Sequence, residues 1–593
     1  MSHHSFIKAY LALTLLFVAS HTIAGPVDVK SAKNRAESFF NANLGNTSTG
    51  GKRSKARAHV SLTLLSEAMP ETRSADHSPE YYIFMPEDSI GFVIVAGEDE
   101  VEPILGYSLN TKISLQQIPD AMKKHLESYR NYIGKIRSRE LTPQQYSDTD
   151  ITPVEPFITT KWNQRGPYNY YAPEIDGKQT LAGCVAVAVA QIMKYYEWPQ
   201  MGRGTCTATL NDGNNTETTV TLGKEYSWAN MMENASDYYT SKQKYATAAL
   251  IRDVGYACKS FYGTDATEAF TVNALTALLR HFYYSTDIKL IDKSHYSNDV
   301  WNEMMHKELL EGRPIWLCGN DEFGSGGHAY ICCGIDQKGR YYINWGWGGY
   351  CDGYFYMGNF SPDGYRYNED ISAIINIKPT EEGEYEENLK PIPHISELFI
   401  REQENTLSNP WLMYEIYYTN INDKDISGKI GISIWDSEAT ETPKIIKDCG
   451  NETIVHDEPT GAGAYLYLKG TEFQTKGIRE LRFLWQPDGS DEWYNLYGAN
   501  SIIYMETTDT GHYFYTERPK DLPNNISGSI AEEFKLKPLK GAIAVSSPKE
   551  MTVRIYSTNG MMLRNVCIMP DTTQIIHLPQ GIYIINGQSV IVQ

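Results

Sequence analysis

The 593-residue chain lacks the features of several common classes of protein. It has only 9 cysteines and no CxxC pair, which argues against a disulfide scaffold, a paired-cysteine zinc site or a dithiol redox site. There is no HExxH motif, which argues against a zinc site of that type, and the chemistry for which the motifs below are suited requires neither a metal nor an organic cofactor. Asp and Glu (73) outnumber Lys and Arg (53), and the net charge of −20 excludes the broad basic surface that nucleic-acid binding requires.

Long apolar runs are also missing, apart from one near the start. An apolar run from Ala9 to Ser20 ends in the small-residue sequence around Ala24, which is typical of a secretory signal peptide over residues 1–24. No later run approaches the roughly 20 apolar residues that a membrane-spanning helix needs. The pattern predicts an exported chain that is soluble once the signal peptide is removed.

Composition divides the rest of the chain into four folded units. Two polar stretches without apolar periodicity, Leu141 to Glu155 and Glu381 to Glu387, read as linkers. Strand-like runs at Tyr81–Met85 and Gly91–Ala96 and a helical pattern at Gln116–Ile136 predict a small α+β domain before the first linker. The expected units, after the signal peptide, are 25–155, 156–378, 388–530 and 538–593.

Sequence patterns predict β-structure in the two C-terminal units. Short strand-like runs separated by turn residues predict a β-sandwich over 388–530; they are Trp411–Tyr418, Ile430–Trp435, Ala464–Leu468 and Leu481–Trp485. Asn-Gly pairs at Asn559 and Asn586 favour tight hairpins in 538–593.

The middle unit contains seven of the nine cysteines, and Cys184 has the most suggestive setting. It follows Gly183 and begins a helical stretch of small apolar residues that runs to about Glu197. Helix N-termini favour the thiolate, which is the nucleophilic form of cysteine, and the Cys184 N–H can donate to an oxyanion. Taken alone, a buried and inert cysteine is the more common explanation.

Two downstream motifs supply a partner for this thiol. His328 follows the glycine-rich sequence Gly324-Ser325-Gly326-Gly327 and begins an apolar strand, where it can face a helix terminus as a general base. Sixteen residues later, Asn344 ends a strand before a Trp- and Gly-rich loop. Asn344 can accept from the imidazole and orient it, and Trp345 can shield that hydrogen bond from water. A structural histidine and a packed turn are the alternatives.

Upstream, Gln164 lies twenty residues before Cys184 in a loop rich in aromatic and polar residues. Its amide can complete an oxyanion hole with the Cys184 N–H, although a solvated loop glutamine is the simpler explanation. Cys332 and Cys333 are adjacent on a predicted strand and should face opposite sides of it. We expect both to be buried thiols.

Together these motifs closely resemble the streptopain family of bacterial cysteine peptidases. The resemblance covers about 156–378 and implies an α+β, papain-like two-part peptidase fold. It implies Cys184 as nucleophile and His328 as base. It also implies Asn344, with its neighbour Trp345, as the residue that orients His328, and Gln164 as oxyanion donor. The front unit resembles the family's inhibitory propeptide, which implies a zymogen activated by cleavage between Leu141 and Glu155.

The last unit resembles the sorting tail of type IX secretion. This resemblance implies export through the periplasm to the bacterial cell surface or beyond, with the outer-membrane secretion machinery as a partner. The expected substrates are proteins or peptides, and the propeptide is the expected intramolecular inhibitor. Three alternatives stay open: an adhesion module at the C-terminus, a binding protein with a relic peptidase domain, and a transferase or amidase that resolves the same thioester with an amine.

Overall fold

We describe the fold from a computed structural model of the chain. It describes residues 25–44, 60–68, 78–143, 151–516 and the strands between 535 and 592. Within these ranges, the gaps are 88–89, 112, 115–117, 119, 142, 236–238, 297, 320–326, 358–370, 381–390, 423, 436–443, 456–459, 469–475, 499–500, 540–541, 548–550, 558–561, 569–571, 579–580 and 586–587. The predicted signal peptide, the glycines before Gly327, the second linker and both Asn-Gly turns therefore lie outside the described residues.

The N-terminal unit is a four-stranded antiparallel sheet with a helix on each face. Its elements are α1 (Val29–Leu44), β1 (Leu62–Ala68), β2 (Tyr81–Pro86), β3 (Phe92–Ala96), β4 (Ile104–Ser108) and α2 (Asp120–Arg137). The two predicted strands are confirmed, and the predicted helix is observed as α2. The apolar residues of β2 and β3 alternate between two buried clusters, one under α1 and one under α2.

The middle unit has a helical part and a sheet part. The helical part contains α3 (Cys184–Tyr196), α4 (Ser241–Ala257), α5 (Thr271–His281), two short strands β5 (Glu174–Ile175) and β6 (Lys178–Gln179), and the small sheet of β7 (Thr205–Leu210), β8 (Glu217–Thr221) and β9 (Phe261–Tyr262). The sheet part contains β10 (Lys289–Asp292), α6 (Asn298–Leu310), β11 (Ile315–Gly319), β12 (His328–Ile335), β13 (Tyr341–Asn344), β14 (Gly353–Phe355) and β15 (Ile371–Ile375). This arrangement confirms the expected α+β, two-part architecture.

Strand β12 lies between the two largest cores of the chain. Cys333 belongs to the cluster that contains the apolar face of α3, and Cys332 belongs to the cluster on the opposite side of the sheet. The two side chains thus face opposite sides of the sheet, as alternation along a strand predicted, and both thiols are buried, as expected. No disulfide joins any of the eight cysteines whose side chains the structure describes.

The N-terminal sheet and the middle sheet are one continuous sheet of ten strands. The strand order is β1-β2-β3-β4-β14-β13-β12-β11-β15-β10, so β4 of the first unit pairs directly with β14 of the second. In this seam Tyr107 lies opposite Tyr354 and Gly106 opposite Phe355. Main-chain hydrogen bonds and shared apolar cores therefore hold the two units together.

Side chains reinforce this seam. The Tyr129 hydroxyl donates to the carbonyls of Leu105 (2.7 Å) and Tyr356 (3.2 Å). His125 is buried with its ring 5.7 Å from that of Phe355. Burial lowers the pKa of His125 to about 3, although a hydrogen bond to the Tyr356 backbone acts in the opposite direction.

The end of the expected first linker is already part of the peptidase unit. Val154 exchanges two backbone hydrogen bonds with Ile335, at 2.8 and 2.9 Å. The Thr152 carbonyl lies 2.9 Å from Nε2 of His306. The composition of Leu141 to Glu155 predicted a linker, and Val154 near its end pairs with Ile335, the last residue of β12.

Residues 394–515 form two packed antiparallel sheets around one apolar core. One sheet contains β16 (His394–Glu404), β17 (Trp411–Thr419) and β20 (Thr460–Tyr467). The other contains β18 (Ile426–Trp435), β19 (Lys444–Ile454), β21 (Gly477–Pro487), β22 (Tyr494–Asn495), β23 (Ile502–Thr507) and β24 (His512–Tyr515). All four predicted strands of the sandwich are confirmed, and each is longer than the sequence pattern indicated.

The C-terminal unit also has two antiparallel sheets. Their strands are β25 (Lys535–Leu539), β26 (Ala542–Ser547), β27 (Met551–Ser557), β28 (Met562–Ile568), β29 (Thr572–His577), β30 (Gly581–Ile585) and β31 (Gln588–Val592). Within the described ranges, none of the helices is long and apolar enough to cross a membrane.

The sandwich is docked on the helical part of the middle unit. Arg280 at the end of α5 donates to the carbonyl of Asn420 at 2.6 Å, and the next residue, Ile421, is buried within the core that surrounds α3. The rings of His295 and Phe399 stack with centroids 3.8 Å apart. The sandwich therefore supplies part of the core of the peptidase unit.

Candidate active site

The turn before α3 holds Cys184 at the first position of the helix. Gly183, the N-cap, has φ of 90°, and a Cβ there would lie 2.9 Å from Cγ2 of Thr267, so this position favours glycine on both counts. The Thr267 hydroxyl donates to the Leu181 carbonyl at 2.9 Å. The sequence Gly-Cys thus reflects a tight turn that presents the thiol at the N-terminus of a buried helix.

The surroundings of the half-buried Cys184 thiol favour its ionised form. Burial raises the pKa of Cys184, but the charge of His328 and its hydrogen bond to the thiol lower it. Hydrogen bonds with the backbone of Ala329 and Val185 lower it further, and the net pKa lies below the ordinary value of 9.0. The structure therefore brings together the two residues that the sequence singled out most strongly.

His328 begins β12 and is half-buried at the edge of the sheet. Its Nε2 lies 2.9 Å from the carbonyl oxygen of Trp345, which is a suitable acceptor for an Nε2–H donor. This bond leaves Nδ1 for the thiol of Cys184. The imidazole is thus held between a backbone carbonyl on one side and the candidate nucleophile on the other.

Asn344 does not occupy the position that the sequence suggested. Its amide donates to the Thr160 carbonyl at 2.8 Å, and its Oδ1 accepts from the N–H of Gly346 at 3.0 Å. In the β12–β13 ladder Asn344 lies opposite Ile331, so its side chain points towards α3 and away from His328. The Asn344 amide therefore does not contact the imidazole as expected. The backbone carbonyl of Trp345 lies in hydrogen-bonding position to His328 instead.

The two tryptophans of the loop have different surroundings. Trp345 is buried in the core opposite α3, with its indole N–H donating to the Cys351 carbonyl at 3.1 Å. Trp347 is half-buried, and its ring centroid lies 6.3 Å from that of His328. Trp345 therefore contributes its main chain at the site, and Trp347 is the aromatic ring beside the imidazole, a role that the sequence analysis did not assign.

Gln164 is distant in sequence from Cys184 but lies beside the segment that leads into it. Its carbonyl accepts from the N–H of Ala182 at 2.9 Å, two residues before Cys184. No hydrogen bond to another described residue occupies its half-buried side-chain amide. The loop is therefore fixed while the amide is available to a ligand.

Two further polar residues at the site were not given roles from the sequence. Asp352 is buried, and its Oδ1 accepts from the N–H of Trp345 at 2.9 Å. Burial raises the pKa of Asp352 to about 7, although that hydrogen bond and the charge of Lys161 lower it. Gln191 is fully buried on α3. The available signal for Gln191 was its position as the single polar residue in the stretch from Val185 to Met193.

Among the residues that the structure describes, no group of three or more His, Cys, Asp or Glu side chains is close enough to hold a metal ion. What the site does contain is a thiol with a lowered pKa, an oriented imidazole and free amide donors, which together are equipped for nucleophilic acyl transfer.

Comparison with known families identifies the two N-terminal units. Residues 162–355 match the model of the Peptidase C10 family. The middle unit is therefore similar to the peptidases of that family. Residues 24–133 match the model of the Spi protease inhibitor, so the unit that pairs with the peptidase sheet through β4 is similar to an inhibitory propeptide domain. Both matches agree with the resemblance that the four sequence motifs indicated, to a cysteine peptidase preceded by an inhibitory propeptide.

Individual relatives agree with this assignment. The thiol protease/hemagglutinin PrtT of Porphyromonas gingivalis is 26% identical over 505 residues, which cover 80% of this chain and 55% of that protein. Streptopain of Streptococcus pyogenes is 28% identical over 396 residues, which cover 62% of this chain and 98% of streptopain. This chain therefore spans only about half the length of PrtT.

Among solved structures, prointerpain A of Prevotella intermedia is similar. It is 26% identical with a TM-score of 0.45, and the match covers 53% of this chain and 98% of that structure. The active form of interpain A matches 38% of this chain at 29% identity, with a TM-score of 0.35.

Proposed function

We propose that the whole chain is a secreted cysteine endopeptidase, made as a latent precursor, that hydrolyses peptide bonds in proteins. The observation that carries this proposal is the pairing of Cys184 with His328 at the N-terminus of a buried helix, where the thiol pKa is lowered. A relic peptidase would have no reason to keep a thiol, an imidazole and an imidazole acceptor in contact. The intact site therefore favours an enzyme over a pure binding protein.

In the proposed reaction, the Cys184 thiolate attacks the carbonyl carbon of the scissile peptide bond. The resulting oxyanion accepts hydrogen bonds from the Cys184 N–H and the Gln164 amide. The C–N bond then breaks as His328 donates its proton to the leaving amine, and water hydrolyses the thioester with His328 as base. Trp345 orients His328 through its carbonyl, and Asn344 acts indirectly by holding the loop.

Contacts near the site support latency imposed by the N-terminal unit. Thr111 donates to the carbonyl of Asp352 at 2.6 Å, directly behind the loop that holds His328. At the other side of the site, Lys124 of α2 lies close enough to Cys318 to lower its thiol pKa, although burial raises that pKa overall to about 12. Cys318 lies opposite Ala329, the residue after His328. The propeptide thus approaches the site from two directions.

Activation is proposed to occur by cleavage between Leu141 and Ile151. The cleavage interval predicted from the sequence extended to Glu155. Val154, however, is hydrogen-bonded to the main chain of Ile335 at the end of β12, and a segment in that conformation is a poor protease substrate. Mass spectrometry of the matured chain would locate the new N-terminus. A terminus after Val154 would contradict the narrower interval.

Export and sorting are also part of the proposal. The predicted signal peptide supports secretion through the periplasm to the cell surface or beyond. The two small antiparallel sheets of residues 535–592 are compatible with a type IX sorting tail that engages the outer-membrane secretion machinery. Removing residues 538–593 should leave the peptidase in the periplasm of the producing cell, and fractionation by immunoblot would measure it.

A casein assay tests the enzymatic proposal directly. Purified precursor and the Cys184→Ala variant are incubated under reducing conditions with denatured casein, with and without a thiol-reactive epoxide. We expect casein breakdown by the wild type alone, blocked by the epoxide. If neither protein cleaves casein after a trace protease has removed the propeptide, the peptidase proposal fails.

A further inference from the structure

Gln191 is the polar exception in an otherwise apolar helix. All residues from Val185 to Met193 are buried on α3, and Gln191 is 0% exposed in the middle of the helix. A buried amide requires hydrogen-bond partners, because one without them loses the solvation it had in water. The identity of those partners shows what Gln191 holds together.

The Gln191 side chain joins two segments that flank the active site. Its Oε1 accepts from the Trp162 N–H at 3.1 Å, at the start of the loop that carries Gln164. Oε1 also lies 3.3 Å from Nδ2 of Asn344, and Nε2 lies 3.4 Å from Oδ1 of the same residue. The helix that begins with Cys184 is thus tied to both the oxyanion loop and the end of β13.

Asn344 transmits this link to the imidazole. Its Oδ1 also accepts from Gly346, so the amide closes a short turn around Trp345. The carbonyl of Trp345, inside that turn, lies 2.9 Å from Nε2 of His328. Hydrogen bonds therefore link α3 through two side-chain amides to the Trp345–Gly346 peptide unit, whose carbonyl is the acceptor for the catalytic base.

We propose that Gln191 is a positioning residue for the Cys184–His328 pair. It sets the distance between the nucleophile helix and the Trp345 carbonyl, and through Trp162 it sets the position of the oxyanion loop. Gln191 touches neither substrate nor the reacting atoms. This inference rests on the proposed peptidase function, and it assigns to the Gln191–Asn344 amide pair the orienting task that sequence alone assigned to Asn344.

The test compares five variants of the full chain. Gln191→Met keeps the volume and removes every hydrogen bond, whereas Gln191→Glu keeps the two acceptor contacts and removes the donor. Ile192→Val is the matched control, since Ile192 is a buried neighbour on α3 with no part in the amide pair. Asn344→Ala, alone and combined with Gln191→Met, measures whether the two residues act as a unit.

Two readouts separate positioning from general stability. The first is the pH dependence of Cys184 alkylation by iodoacetamide, followed by mass spectrometry of the Cys184 peptide, which requires no peptidase activity. The second is the kcat and KM of the matured chain on casein peptides. Stability is recorded in parallel by thermal unfolding.

We expect Gln191→Met to lower kcat by about tenfold to a hundredfold with KM changed less than about twofold, because misplacement by a fraction of an ångström costs rate more than binding. The apparent pKa of Cys184 alkylation should rise by about half a unit as the imidazole loses its orientation. Gln191→Glu should show a smaller change of the same sign. Adding Asn344→Ala to Gln191→Met should cost little more than either change alone.

Other results would contradict either the positioning role of Gln191 or the peptidase proposal. If Gln191→Met matches Ile192→Val in alkylation and kcat, or if Gln191 and Asn344 act additively, the positioning role is overturned. If wild type shows the lowered alkylation pKa but does not cleave casein, the peptidase proposal fails while the alkylation comparison still decides the role of Gln191. If Gln191→Met does not fold, a Gln191→Glu variant with wild-type profiles overturns the inference.

Discussion

The pKa of a single buried carboxyl links the active-site loop to pH. Asp352 accepts from the N–H of Trp345, whose carbonyl holds His328, and burial raises the Asp352 pKa to about 7. The neutral form therefore stabilises the folded state relative to the charged form. The contribution of Asp352 to the free energy of unfolding is fully present below pH 3.8, the ordinary pKa of an aspartate, and is lost as the pH rises through 7.

Replacing Asp352 by Asn should remove this dependence. The variant keeps an acceptor for Trp345 and has no charge to bury, so we expect it to be more stable than wild type at pH 8, by at most on the order of 4 kcal/mol. The gain should shrink steadily towards pH 4. Urea unfolding at several pH values would measure it, with the exposed Asp265→Asn as control; a gain that is constant with pH would contradict the argument.

At this scale the sequence predicted some residues and missed others for physical reasons. Cys184 and His328 could be found because their environments, a helix start and a strand start, are visible as local patterns. The failure at Asn344 arose because strand register decides which face a side chain takes, and the register opposite Ile331 is a long-range property. Trp347 and Asp352 depend on how the loop folds back, which no local pattern encodes.

At the scale of elements, the seam between β4 and β14 joins inhibitor and peptidase into one sheet. It has little free space: a Cβ on Gly106 would lie 2.7 Å from Cδ1 of Phe355 and 3.0 Å from the Tyr354 carbonyl. We expect Gly106→Ala to loosen the seam and to raise the residual activity of the precursor by about tenfold, as overpacking costs about 1–3 kcal/mol.

The matched control is Gly134→Ala on α2, where a Cβ meets nothing within 4 Å. This variant should keep wild-type latency. Initial rates on a small peptide substrate, measured before any maturation, would compare the two. Equal latency of Gly106→Ala and wild type would show that the seam does not determine inhibition.

The buried His125 predicts that latency weakens in acid. Its pKa is about 3 in the docked state, against an ordinary value of 6.5, because burial disfavours the charged imidazole. Docking is therefore favoured above pH 6.5 and weakens as the pH falls, by about tenfold for each unit below that value. Maturation rates between pH 7.5 and 5.5, normalised to the mature enzyme, would measure this, and His125→Leu should flatten the profile. A wild-type profile that is already flat would contradict it.

Sequence patterns predicted helices and strands correctly where a segment is strongly periodic. They were less informative where polar composition was used to predict a linker. Residues 151–155 include the apolar Ile151 and Val154, which pack against a buried cluster, and the main chain of Val154 pairs with Ile335 at the end of β12.

At the scale of the whole molecule, the sandwich is structurally part of the peptidase. Ile421 of the sandwich is buried in the core around α3, so Ile421→Ala should destabilise the peptidase by about 2–5 kcal/mol. Val455→Ala, at a side chain that is 36% exposed, is the control and should have little effect. Thermal unfolding followed by casein activity would test this; loss of sandwich structure without loss of peptidase stability would refute the coupling.

Maturation of this precursor also changes the β-sheet that the propeptide and the peptidase share. Once the propeptide leaves, β14 changes from an internal strand to the outer strand of a six-stranded sheet, and its backbone N–H and C=O groups face water or another chain. Because β14 has only three residues, Gly353–Phe355, the newly exposed edge offers few positions for a foreign strand to pair. A short seam thus lets the enzyme discard its inhibitor without becoming prone to self-association.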